Sequence, residues 1–329
     1  MSQKAKTVQT GHRVLGIDVA KDSIVLFDSV HRRTQTVANR AEEIGRALQG
    51  YREYDLAVCE CTGGYERATL EAALELGLPM HRADPSRVKR FIQSYGGRAK
   101  NDAIDARWLT LYGQERHGSL TRWVPPTQEQ EALVQWTRLR ADLTKTLAQL
   151  KNRLQAPTVG VGEASLQRLR TALLQEIRVI DQSINQIMAD DESLQEAEAI
   201  LRSITGIGPR TSTTLLSQMP ELGHISRRRC AHLASLAPHP NDSGTIHGHR
   251  RVRGGRVELR SLLFMCALTS SKRDPAMRVF YERMLARGKT KMCALIAVAR
   301  KLIVIANAKL RDHYAQRSNA HIDVAIAAG

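Results

Sequence analysis

Four acids and one serine are the residues best suited to chemistry in this chain of 329 amino acids. Asp18 closes a short apolar run in Gly16-Ile17-Asp18-Val19-Ala20-Lys21, and Glu60 closes another in Cys59-Glu60-Cys61-Thr62-Gly63-Gly64-Tyr65. A carboxylate set into a buried strand is costly unless it is paired or binds a metal. Asp102 and Asp105 stand three apart at the start of a helical pattern, in Lys100-Asn101-Asp102-Ala103-Ile104-Asp105-Ala106. That spacing puts both on one helical face, about 5–6 Å apart at Cβ. Hard carboxylate oxygens in this number suit Mg²⁺. Two such ions, about 3.5–4 Å apart, activate the attacking oxygen and stabilise the leaving one in phosphodiester chemistry. Taken singly, each acid has an ordinary explanation, Asp102 as a helix cap and Asp105 as a solvated helix residue. Taken together, on a chain this basic, they point to nucleic-acid cleavage.

The net charge is +16, and it is unevenly spread. Residues 1–200 hold 27 Lys and Arg against 26 Asp and Glu, whereas residues 201–329 hold 22 against 7. A basic part joined to a neutral one implies a polyanion partner, with nucleic acid the default. The densest basic clusters are Arg227, Arg228 and Arg229, and Arg250, Arg251, Arg253 and Arg256. Phosphate contact is their natural role, giving salt-dependent affinity rather than base reading. A membrane partner is not indicated, because the longest apolar stretch, Met292 to Ala308, is interrupted by Arg300 and Lys301. Five irregularly spaced cysteines indicate reduced, cytoplasmic usage. Cys59 and Cys61 lack the second Cys or His pair that a zinc site needs.

The elements that must position the acids follow from periodicity. Val14–Ala20, Ser23–Ser29 and Arg33–Val37 are expected as neighbouring antiparallel strands, with Leu56–Cys61 and Pro79–Ala83 as further strands. Helices are expected at Ala41–Gln49, Glu66–Leu76, Pro85–Tyr95 and Asp102–Tyr112. The result is a mixed sheet covered by helices. Between residues 127 and 200 two apolar seams recur at coiled-coil spacing. One runs from Leu133 to Leu154 and the other from Leu166 to Ile187. Joined by a short turn, they predict an antiparallel hairpin, an arm that dimerises with a second copy or a spacer within one chain. Beyond Leu201 the pattern is mostly helical, at Thr211–Met219, Arg227–Leu236, Val257–Leu268, Ala276–Arg287 and Met292–Arg311, with 238–256 read as a loop. The expected divisions are a loose 1–12, a catalytic domain 13–122, an arm 123–199 and a basic helical domain 200–329.

The order of these motifs resembles a known family. A strand ending in Asp, a strand ending in Glu, and a helix reading Lys-x-Asp-x-x-Asp-Ala are similar to the DEDD transposases of the insertion sequence 110 family, whose relatives include the Piv-type DNA invertases. The likeness resumes at Ile204-Thr205-Gly206-Ile207-Gly208-Pro209, at Leu233–Pro238 (LASLAP), at Ser243-Gly244, and at Arg253-Gly254-Gly255-Arg256 before Leu259-Arg260-Ser261-Leu262. The glycines Gly206 and Gly208 precede a helix, where backbone N–H groups approach a phosphate in helix-hairpin-helix fashion or simply make a tight turn.

The resemblance implies an RNase H-like, RuvC-like α/β first domain, a helical hairpin and a mainly α-helical second domain. It implies metal held by Asp18, Glu60, Asp102 and Asp105, and Ser243 as nucleophile. It further implies a homo-oligomer, tetrameric on paired DNA sites, and a structured guide RNA. Two rival readings remain open on the sequence. One is a junction-resolvase-like nuclease that uses water in place of the serine. The other is a nucleic-acid-binding regulator without catalysis.

Overall fold

A computed structural model of the protein describes residues 11–96, 102–156, 160–239, 242–243, 246–247 and 251–327. Arg250 lies outside the described residues. Of Asp102, Ser243 and Arg251 only the backbone position is described. The chain divides into two compact units, residues 1–125 and 126–329. Among the described residues no helix is long and apolar enough to cross a membrane.

The first unit is built on a five-stranded mixed sheet. Its strands are β1 (Val14–Val19), β2 (Ser23–Asp28), β3 (Thr34–Ala38), β4 (Leu56–Glu60) and β5 (Met80–Ala83), and its helices are α1 (Ala41–Leu48), α2 (Arg67–Glu75), α3 (Pro85–Ser94) and α4 (Asp102–Arg116). The strand order is β3-β2-β1-β4-β5. β1 pairs antiparallel with β2 and parallel with β4, and β4 pairs parallel with β5. Residues alternate between the two faces of a strand, and here each face is covered. Leu15, Ile17, Ala57 and Cys59 pack with Ile44, Leu48, Leu70 and Ala73 from α1 and α2. Val14, Leu56 and Val58 pack with Val88, Phe91, Leu109 and Tyr112 from α3 and α4. The expected mixed sheet is present, in the expected strand sequence. α2 starts one residue later than its pattern suggests, because the Glu66 side chain turns back onto the loop before it.

The second unit is helical. Its elements begin with α5 (Gln128–Leu154), which opens on a Thr127–Gln130 capping box, and α6 (Glu163–Asp190). These two long helices pack along one another through Leu133, Trp136, Leu143, Ile180, Ile184 and Met188. Arg140 pairs with Asp181 across them. The apolar seams of the two helices therefore face each other within one chain. Next come α7 (Glu192–Arg202), α8 (Pro209–Gln218), α9 (Arg227–Leu233), α10 (Val257–Arg273), α11 (Pro275–Ala286) and α12 (Lys291–Ala327). Leu201, Leu215, Met219, Cys230, Leu259, Leu263, Val298 and Leu302 form the centre of their shared core. Asn307, buried on α12, accepts from the Gly223 N–H at 2.9 Å and donates to the Ile225 carbonyl at 2.8 Å, tying the 219–226 connection to that helix.

The segment 238–256, expected as a loop, contains four two-residue strands. β6 (Pro238–His239) pairs with β9 (Arg251–Val252), and β7 (Asp242–Ser243) pairs with β8 (Ile246–His247). Ladders this short leave no alternation to read in a sequence. α9 stops at Leu233 rather than Leu236, where Ser235 takes a positive φ of 57° and the Leu236 N–H returns to the Ala231 carbonyl. α12 runs to Ala327, well past Arg311.

Candidate active site

The strand register brings Asp18 and Glu60 together. Ile17 and Cys59 are the last paired residues of β1 and β4, and each acid stands one step beyond them. Neighbouring strands lie about 4.8 Å apart, so the two carboxylates leave adjacent strand ends. Both share the phase of Gly16 and Val58 and so belong to the face that α4 covers. Asp18, Glu60 and Asp105 are all partly buried.

Gly16 fixes where α4 crosses. A Cβ built on it would stand 2.0 Å from the Ala106 carbonyl oxygen and 2.4 Å from Thr110 Oγ1. A Cβ on Gly113 would meet Val14 Cγ1 at 2.7 Å. Along β1 from Val14 through Gly16 to Asp18, the overlying helix therefore runs from Gly113 through Ala106 and Thr110 toward its own first turn. A step of two strand residues spans about 6.6 Å, or roughly four residues of helix. That places Asp18 beneath the turn that begins at Asp102 and contains Asp105. Thr110 holds the crossing, its hydroxyl shared between the Phe27 carbonyl at 3.0 Å and the Ala106 carbonyl at 3.1 Å.

The loops after the two acids are also held. Asn39 Nδ2 donates to the Ala20 carbonyl at 2.8 Å and to the Tyr65 carbonyl at 3.1 Å, linking the loop after β1 to the loop after β4. Glu66, 1% exposed, accepts from the Gly64 N–H at 2.9 Å, the Thr62 hydroxyl at 3.0 Å and Arg82 Nε at 2.9 Å. Burial alone would raise its pKa. Backbone N–H donors and the Arg82 guanidinium overcome that and hold it down at about 2. Glu66 is therefore a structural anion that shapes the loop next to Glu60. Arg82 also donates to Cys61 Sγ at 3.0 Å. Cys59 is fully buried, and burial pushes its thiol up to about 12.

Sequence reasoning missed Gly16, Asn39, Glu66, Arg82 and Thr110. Glu66 alone carried a signal, as the last residue of a Thr-Gly-Gly-Tyr-Glu run after the Glu60 strand.

As donors, the acids at these two strand ends and on α4 are all hard oxygens, the set that suits a divalent cation such as Mg²⁺ rather than a soft metal. Among the described residues no group of three His, Cys, Asp or Glu side chains gathers closely enough to hold a metal. The Asp102 side chain is outside that set.

In the second unit Ser243 lies in β7, paired with Ile246. Arg227, Arg228 and Arg229 are exposed on the first turn of α9. Arg253 is exposed, and its carbonyl accepts from His239 Nε2 at 3.2 Å. Arg256 is engaged inside the fold in a two-pronged pair with Glu221, at 3.0 and 2.7 Å. Gly206, at φ 99°, packs against α10, where a Cβ would meet the Cys266 carbonyl at 2.6 Å. Gly208 precedes α8 in extended conformation with open space around it.

Residues 15–158 match a transposase family model, the DEDD domain of IS110 elements, and residues 198–282 match the model for the IS116/IS110/IS902 transposase family. The pilin gene-inverting protein of Moraxella bovis is 28% identical over 312 residues, covering 91% of this chain and 96% of its own length. An insertion element IS110 protein of Streptomyces coelicolor is 35% identical over 174 residues, 51% of this chain and 42% of that protein. A solved structure of Thermus thermophilus RuvC with a Holliday junction substrate aligns over 34% of this chain and 99% of its own, at 16% identity and a TM-score of 0.29. The two family matches follow one another along the chain, the first over the acids and on through α5 and the second over the glycine turn and most of the α8–α11 core, and the chain belongs to the IS110 family of transposases.

Proposed function

We propose that the chain cuts and rejoins DNA at the ends of an insertion sequence, using Asp18, Glu60, Asp102 and Asp105 with Mg²⁺, and Ser243 as nucleophile. The observation that carries this reading is the adjacency of the Asp18 and Glu60 strand ends on the sheet face that α4 covers. Mg²⁺, as two ions, would polarise the scissile phosphate there. Ser243 Oγ then attacks phosphorus. The P–O bond to one deoxyribose oxygen breaks, the serine proton passes to solvent, and the leaving oxygen takes a proton from solvent to depart as a hydroxyl. Attack by another strand's hydroxyl on the phosphoserine reverses the bookkeeping and reseals DNA without ATP. A serine hydroxyl is a weak nucleophile and needs such activation. The acids and the serine belong to different units, so the reaction requires both to reach one phosphodiester, from one chain or from two.

The reading extends to assembly. The chain works in the cytoplasm as a homo-oligomer, pairing through the α5 and α6 helices and forming a tetramer on DNA, with a structured non-coding RNA selecting the site. Arg227, Arg228, Arg229, Arg250, Arg251 and Arg253 supply phosphate contacts. Gly206, Gly208 and Arg256 are weaker candidates, because packing against α10 and the Glu221 pair already account for Gly206 and Arg256.

The test mixes protein, element-end DNA and Mg²⁺, with and without the adjacent RNA, and looks for a denaturant-stable protein–DNA adduct. We expect an adduct that is lost in Ser243→Ala and in Asp18→Ala and that depends on RNA. Mg²⁺-dependent cleavage without an adduct, unchanged in Ser243→Ala, would sink the serine assignment in favour of water.

A further inference from the structure

The first unit holds 19 Lys and Arg against 15 Asp and Glu, and it gathers cations at one place away from the four acids. A cleft of about 310 Å³ opens between α3 and the C-terminal part of α4. Arg87, Arg90 and Arg116 line it, with the hydroxyl-bearing Ser94 and Ser119. All three arginines are exposed, and among the described residues none forms an ion pair with a carboxylate. Glu115, the neighbouring acid, is taken by the Tyr95 hydroxyl. The cleft floor is rigid. Phe91 and Tyr112 are buried, with ring centroids 5.3 Å apart, and the Arg116 guanidinium lies over both, 5.5 Å and 5.7 Å from their centroids. Stacking of this kind fixes the fork of an arginine before any ligand arrives. Arg90 is steadied by donating to the Ser86 carbonyl at 3.1 Å.

Three unneutralised guanidinium groups around a concavity match a phosphate diester better than any neutral ligand, while the Ser94 and Ser119 hydroxyls donate inward to the Phe91 and Arg116 carbonyls. Arg116 follows Asp105 by eleven residues of α4, about 16 Å along the helix axis. On B-form duplex that is roughly five base-pair steps. From this geometry we infer that the Arg87/Arg90/Arg116 cleft is a second nucleic-acid site, gripping the sugar-phosphate backbone about half a helical turn from the phosphate at the carboxylates. The inference deepens the proposed function and rests on its claim that nucleic acid is the partner. The cleft sets where the strand lies over the acids; it takes no part in bond breaking.

The chemistry is the same whether the backbone is DNA or RNA, so the test has two arms. The full chain and its Arg87→Glu/Arg90→Glu variant are titrated with a labelled DNA duplex and, separately, a structured RNA, by anisotropy over a salt series. Arg116 is left in place because it packs on the core. We expect the variant to bind at least one polymer ten-fold or more weakly at about 0.15 M salt. The slope of log affinity against log salt should become shallower by about two, near one unit per lost phosphate contact. An Arg87→Lys/Arg90→Lys variant should keep most of the slope. Loss on one arm only names the polymer. Equal affinity and slope on both arms would overturn the inference, as would a lysine pair that loses as much slope as the glutamate pair, or a wild type that binds neither polymer. The adduct assay on the same preparations separates the two readings. Wild-type cleavage with unaltered binding by the glutamate variant would remove the cleft alone, whereas a wild type without cleavage but with cation-dependent binding at the cleft would remove the catalytic reading alone.

Discussion

Glu66 and Arg82 show how one charged pair can shape a site without doing its chemistry. The carboxylate is sealed from water, yet five donor groups keep it ionised, with a pKa of about 2 against the usual 4.5. A depressed carboxylate contributes stability that is fully present above its unfolded value and is lost as pH falls through its folded one. The loop after Glu60 should therefore loosen progressively between pH 4.5 and 2. Thermal melts of wild type and Glu66→Gln across that window should show the wild type losing more stability than the variant, and parallel curves would remove this role. Arg82→Ala leaves the carboxylate buried without its cation. We expect a loss on the order of 2 kcal/mol, less than the ~3–5 typical of a fully buried pair, because Arg82 itself is 41% exposed. Asp18 and Glu60 were legible in the sequence because a lone acid interrupts an apolar strand. Glu66 was less so: its place at the end of the Thr-Gly-Gly-Tyr-Glu run was a signal, but that run does not separate a buried, multiply bonded glutamate from a solvated one at a helix start.

At the scale of elements, the site depends on where α4 crosses β1. The strands and the antiparallel pairing of the first three could be read from alternation and turn residues, and the helices from their apolar periods, but the β1–β4 pairing could not. The crossing could not, since it pairs Gly16 with Ala106 and Thr110, about ninety residues away, and no local pattern encodes such a contact. Gly16→Ala should push the helix off the sheet, costing about 1–3 kcal/mol as an overpacked core does. Because the first turn of α4 carries Asp102 and Asp105, Mg²⁺-dependent cleavage should fall far more than stability. Gly45→Ala is the control. Its Cβ would meet nothing within 4 Å inside α1, so it should add up to about 1 kcal/mol through helix propensity and leave cleavage unchanged. Calorimetry and cleavage assays on the pair decide the matter; equal cleavage by both variants would show that the crossing does not position the acids.

Over the whole molecule the charge is divided as sharply as the fold. Residues 201–329 carry 22 Lys and Arg against 7 Asp and Glu, so affinity for DNA should come largely from counterion release. Six to ten phosphate contacts would cost about 10³–10⁵ in affinity between roughly 50 and 200 mM salt. A titration that falls less than ten-fold over that range would deny the basic half its role. This asymmetry was plain in the sequence, and so was a boundary near residue 122, whereas the membership of the α5 and α6 pair in the second unit emerged only from the packing. The close approach at Gly16 bears on the genomes that carry such elements. A single second-base change turns a glycine codon into one for alanine, valine, aspartate or glutamate, and none of those side chains fits beneath α4. A relic copy can thus be silenced at this one codon with all four acids intact, and surveys that score living and dead copies by the acids alone will count such relics among the living.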